Sequence, residues 1–144
     1  MVTTETTKSY TVLWWAIFCV LPLFFLGPKA AVDIQQHDTY FVIGATHIAI
    51  TLALFLGALG AVYWLMRNYK INQTLWMLHA FVTVCSTLGI VIIICLKFFV
   101  AQDNFKLETS LNQIGKIFVL ILFLIQIVFA INICIGLIKG KLTK

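Results

Sequence analysis

From Phe41 to Met66 the chain carries no Asp, Glu, Lys or Arg, and this stretch constrains the fold more than any other feature. A helix needs about 20 apolar residues to cross a hydrocarbon core roughly 30 Å thick, so the stretch is long enough to span a bilayer. Three further apolar runs cover 10–26, 75–99 and 113–138, interrupted by charge only at Lys97 and Lys116. Of the 144 residues, 62% are hydrophobic and 10% charged, against about 25% charged in a soluble domain. The sequence therefore predicts an integral membrane protein, a single domain over 1–144 with short connections and no large domain outside the bilayer. A net charge of +5 would point to nucleic acid in a soluble chain. Here the basic residues flank apolar runs, where they set topology and meet lipid headgroups, so nucleic acid is set aside as a partner.

The first run opens on Trp14 and Trp15, closes on Gly27 and Pro28, and holds Pro22. Proline removes a backbone donor, so a kink near the end of this helix is expected. No small-x-small cleavage site stands near Gly27, which favours a span over a cleaved signal segment. In the third run Lys97 is close enough to the helix end to snorkel. In the fourth, Gln126 and Asn132 are expected to hydrogen-bond between helices.

Counting basic flanks sets the orientation. With the N-terminus inside, Lys8, Arg67, Lys70, Lys139, Lys141 and Lys144 lie on the inner side, and Lys29, Lys97, Lys106 and Lys116 on the outer. Asp33, Asp38, Asp103 and Glu108 also fall outside. The expectation is an all-α membrane protein with four transmembrane helices and both termini cytoplasmic. On that reading "HDTYFVIGATH", His37 to His47, begins at the outer surface, and His47 lies one and a half turns down the second helix.

Cys19, Cys85, Cys95 and Cys134 lie within apolar runs without metal-ligand spacing and read as small buried hydrophobes. No phosphate loop or nucleophile elbow is present. Chemistry therefore rests on His37, Asp38, His47 and His79. At 100° per residue, Ala45, Ala49, Ala53, Gly57 and Gly60 share one stripe of the second helix, a small-xxx-small packing surface. His47 points away from it, and a lipid-facing imidazole is costly, so it needs a partner, a cavity or a ligand.

The segment "DIQQHDTYFVIGATHIAITLALFLGALGAVYW" resembles haem-copper oxidase subunit I, the cytochrome c oxidase core, where a motif reading HDTYxVVAHFHY leads into the tenth helix. His37, Asp38, Thr39, Tyr40 and Val42 agree in order. Tyr63 and Trp64 close a small-residue helix, and Trp76 and His79 open the next, much as in the family. The match is closest from Asp33 to Trp64 and extends loosely over most of the chain, which has the size of one four-helix arc, helices nine to twelve. The resemblance implies that His47 is a low-spin haem ligand. The ligand of the high-spin haem is replaced by Ala45, and the copper histidines belong to helices outside this segment, so no oxygen-reducing centre is expected from this chain alone. It further implies that His37 and Asp38 bind a divalent cation such as magnesium, with a carboxylate from a partner. The family's paired arginines for haem propionates have no counterpart between Ala101 and Asn112, where Lys106 offers one charge.

Each of these residues has a plainer reading. Asp38 can cap the coming helix through the amide of Phe41; His79 can be a hydrogen-bonded histidine near the inner end of the third helix; His47 can bond a neighbouring helix. His47 and His79 belong to opposite ends of the bundle and cannot share one iron. A six-coordinate haem on His47 then needs a second chain, most simply His47 of a two-fold mate; a homotrimer imitating the full oxidase subunit is the other arrangement. Two functions follow: a haem-binding electron carrier or accessory subunit of a respiratory complex, and a redox-inert structural subunit of such a complex or of a homo-oligomer. The expected location is a bacterial inner (cytoplasmic) membrane.

Overall fold

The computed structural model describes residues 9–27, 30–36, 39–99 and 105–140. The chain opens with α1, Ser9–Ala16, followed by a 3-10 turn, Ile17–Val20, and a short α2, Pro22–Phe25. Pro22 has no N–H to offer the Phe18 carbonyl four residues back. That carbonyl accepts instead from Leu21 N–H at 3.2 Å, and the Leu21 carbonyl accepts from Phe24 N–H at 2.9 Å. The expected kink is thus spread over a full turn of tightened helix, and the apolar stretch Tyr10–Phe25 is shorter than the three helices that follow.

Next comes an antiparallel hairpin, β1 Ala31–Gln36 and β2 Thr39–Gly44, in register from Ala31 opposite Gly44 to Gln36 opposite Thr39. It adds one strand pair to a chain that is otherwise mostly helical, and it corrects one expectation: the helix that follows, α3, Ala45–Leu65, begins at Ala45 rather than Phe41. The run Thr39-Tyr40-Phe41-Val42-Ile43 is β-branched and aromatic and suits a strand, while hydropathy alone cannot separate it from a helix. The hairpin also serves the helix, because Ala45 N–H, which has no partner within α3, donates to Ala30 O at 2.8 Å. Gly44, not Asp38, stands at the N-cap position.

At 1.5 Å per residue α3 is roughly 31 Å long, a close match to the hydrocarbon core. Two longer helices follow, α4 Gln73–Phe99 and α5 Phe105–Lys139. Asn72 caps α4, its Oδ1 accepting from the N–H groups of Thr74 (3.0 Å) and Leu75 (3.3 Å). The apolar pattern places the start of α5 at 113, but the helix begins at Phe105 because its polar first turns are held from α4. Lys97 Nζ donates to Asn112 Oδ1 at 2.9 Å and lies 3.6 Å from Glu108 Oε1. Lys97 therefore pairs with the neighbouring helix.

The chain runs up and down. Going forward along α1 leads backward along α3, with the Trp14 indole on Gly60 and Ile17 on Gly57. The pairs Gly89–Phe118 and Lys97–Asn112 likewise order α4 against α5. The small-residue stripe of α3 is thus an internal surface: Ala45, Ala49 and Gly60 are buried, with Leu13, Val20 and Leu23 among the fully buried side chains of the first segment. Three helices, Ala45–Asn68 (counted with its terminal 3-10 turn), Gln73–Phe99 and Lys106–Lys139, are long and apolar enough to cross a membrane.

Packing on the stripe should be uneven. A Cβ at Gly60 collides with the Trp14 indole, whereas one at Gly57 meets only Ile17 Cδ1 at 3.9 Å. Gly60→Ala is expected to cost about 1–3 kcal/mol through overpacking, and Gly57→Ala to leave stability unchanged or slightly raised. Melting in detergent checks this; equal effects would contradict the packing.

Candidate functional site

Of the four residues on which chemistry was expected to rest, the structure describes His47 and His79 and places them apart. His37 and Asp38 lie outside the described residues. His47 is the third residue of α3, so it sits in the first turn of the helix rather than one and a half turns down it, because the hairpin takes the residues assigned to the helix start. Its side chain is exposed. A Cβ placed on Gly44 would stand 3.2 Å from His47 Nδ1. Glycine there leaves room for the ring, and Nε2 is the nitrogen turned away from residue 44. The Thr51 hydroxyl one turn below donates to the His47 backbone carbonyl at 2.9 Å, and not to the ring. Among the described residues the His47 ring has no hydrogen-bond partner. Ala45, two residues earlier, is fully buried in the core.

His79 is the opposite case. It is fully buried in α4, and both ring nitrogens are engaged. Gln126 of α5 donates its Nε2–H to Leu122 O at 2.8 Å, which leaves Oε1 as an acceptor; it lies 3.2 Å from His79 Nε2. Nε2 therefore carries the proton, shared with Thr83 Oγ1 at 3.3 Å. Nδ1 is then the acceptor and receives the Tyr63 hydroxyl of α3 at 3.2 Å. One imidazole joins three helices, with the donor order Tyr63 to His79 to Gln126. Around it Tyr63 packs edge-on against Trp76 and Phe129, and Phe129 lies 5.1 Å from the His79 ring centroid.

The cluster continues toward the α4 start. Asn132 of α5 is fully buried, and its Oδ1 accepts from Asn72 N–H at 2.9 Å, tying the α4 cap to α5. Gln126 bonds between helices as expected, whereas the Asn132 bond goes to the backbone of Asn72, the residue that caps α4. Trp76 Nε1 and Asn132 Nδ2 are buried without a hydrogen-bond partner among the described residues. Such groups cost roughly 1–3 kcal/mol each, so the cluster's stabilisation comes from its aromatic packing and from the bonds centred on His79.

Two chemical capacities follow. With both nitrogens bound, His79 has no lone pair for a metal and acts as a polar pin. His47 has an open ring edge and, among the described residues, nothing to fill it. About 24 Å of helix rise separates His47 from Tyr63, so the two histidines serve different ends of the molecule. Sequence reasoning misses Tyr63 and Thr83 as cluster members. The spacing of His79 and Thr83, one turn apart on α4, is the signal that could have found Thr83. Tyr63 is legible only as half of an aromatic pair.

With three helices able to cross a bilayer and a polar cluster enclosed between them, the fold defines an integral membrane protein. No protein-family model, curated protein or solved structure matches the chain.

His79→Phe is expected to strand the Tyr63 hydroxyl and the Gln126 carbonyl and to cost about 1–3 kcal/mol. Tyr63→Phe removes one membrane-buried hydrogen bond and Gln126→Leu removes two, each worth about 0.6 kcal/mol on average. Reversible unfolding in bicelles reads these differences, and a neutral His79→Phe would contradict the pinning role.

Proposed function

We propose that the chain is a membrane-embedded subunit of a respiratory electron-transfer assembly. In this reading it corresponds to the last four-helix arc of the oxidase core, crosses the membrane four times with both termini cytoplasmic, and presents His47 as an axial haem ligand. The observation that carries the proposal is the difference between its two described histidines: His79 is fully bonded inside the bundle, whereas His47 is exposed, its ring unpartnered among the described residues.

The residues present fit part of a haem site. His47 would supply one nitrogen to hold the haem iron, and Gly44 leaves the ring uncrowded. The second axial ligand and the opposite wall would come from another chain, since the core side of α3 is filled by Ala45, Ala49 and the side chains of the first segment. A bound haem would supply one-electron transfer. The chain's own contribution would be to fix the ring at the bilayer surface, oriented by the first turn of α3. The proposed partners are a second copy, as a dimer or trimer, or a larger respiratory complex in a bacterial inner membrane.

The second reading, a redox-inert structural subunit, is favoured by the same filled core: a buried Ala45 and a fully bonded His79 leave the interior closed by its own side chains. Spectra of membranes and of the purified protein from haem-replete cells separate the two. Haem ligation predicts a reduced-minus-oxidised α-band that His47→Ala abolishes while the fold is kept; a colourless wild type would overturn it. For the outer pair, we propose a divalent-cation site at His37 and Asp38 completed by a partner. Metal analysis of the assembled complex should show one equivalent lost in His37→Ala, and equal content in both would sink the site.

A further inference from the structure

The loop after α3 and the last turn of α5 are far apart in sequence but form one surface. Gly136 has no side chain, and Ile71 Cγ2 and Met66 Cε stand where one would be, 2.7 and 3.1 Å from the position a Cβ would take. Lys70 N–H donates to Gly140 O at 3.2 Å, and Gly140 takes the left-handed conformation, φ 74°, that closes a helix. These contacts bring Arg67 and Lys70 from the loop beside Lys139 at the end of α5, all three exposed.

Among the described residues the charge there is one-signed. The described acidic residues, Asp33 in the hairpin and Glu108 beside Lys97, belong to the opposite end. Helix dipoles neutralise only part of it: the C-termini of α3 and α5 contribute about half a negative charge each, and the N-terminus of α4 returns about half a positive one. Roughly two and a half positive charges remain unpaired. Apolar surface adjoins them, with Leu65 63% and Ile138 85% exposed, and the Arg67 guanidinium lies 4.7 Å over the Trp64 ring, an interfacial anchor.

The geometry points to a headgroup site for one anionic phospholipid at this end of the bundle: Arg67, Lys70 and Lys139 hold the phosphate, and Leu65 and Ile138 meet the acyl chains. A free phosphate shares the headgroup chemistry but gains nothing from the apolar seats.

The test uses the full chain in nanodiscs of phosphatidylcholine with or without phosphatidylglycerol, followed by native mass spectrometry. Wild type should retain phosphatidylglycerol selectively, and each of Arg67→Gln, Lys70→Gln and Lys139→Gln should lower that preference about fivefold. Lys106→Gln/Lys116→Gln at the opposite end should not. Melting in phosphatidylcholine alone checks that the variants fold. Wild type retaining both lipids equally, the opposite-end variant losing the preference as strongly, or inorganic phosphate raising the melting temperature as much as phosphatidylglycerol does would each overturn the assignment.

Discussion

Inside a bilayer a polar side chain has no water to fall back on, and the arrangement of this protein depends on one imidazole that meets that condition completely. His79 accepts from Tyr63 through Nδ1 and donates to Gln126 through Nε2. Each bond reaches a different helix, so satisfying one ring fixes the rotation of α3 and α5 about α4 together. Apolar packing in lipid cannot do this alone, because lipid tails are as apolar as the side chains they would replace. The aromatic shell of Tyr63, Trp76 and Phe129 closes around the ring. At the other end of the α4–α5 pair, Lys97 performs the same service by binding Asn112 and Glu108.

Between these two polar ends the bundle is held by small residues. Gly60 admits the Trp14 indole, Gly89 admits the Phe118 ring, and Gly136 admits the loop that follows α3. Backbones approach where a side chain is missing, and large rings from the neighbouring segment fill the space. The broken first segment fits this scheme, because its tight turns at Ile17–Val20 keep Trp14, Ile17 and Val20 against α3 although Pro22 interrupts the hydrogen-bond ladder.

Much of this is legible in the sequence. The charge-free run into Met66, the stripe from Ala45 to Gly60, and the bonding role of Gln126 all follow from periodicity and the cost of polar groups in lipid. The hairpin does not, because Thr39 to Ile43 is as hydrophobic as a helix and strand preference is carried by context. The position of His47 along α3 is misjudged for the same reason: it is counted from a helix start that the strand displaces. The early start of α5 is hidden by its polar residues, whose partner, Lys97, is distant in sequence. His79 is expected as a hydrogen-bonded histidine near the inner end, and it is hydrogen-bonded, but of its three partners only Thr83 is local; Tyr63 and Gln126 lie 16 and 47 residues away, beyond the reach of any local pattern.

The two described histidines divide the labour, one sealed in the bundle and one open at its edge. Diethyl pyrocarbonate labelling of the folded protein, mapped by mass spectrometry, measures that division directly. His47 should be carbethoxylated in the native state and His79 only after unfolding. Modification of native His79 at the rate of His47 would contradict the division.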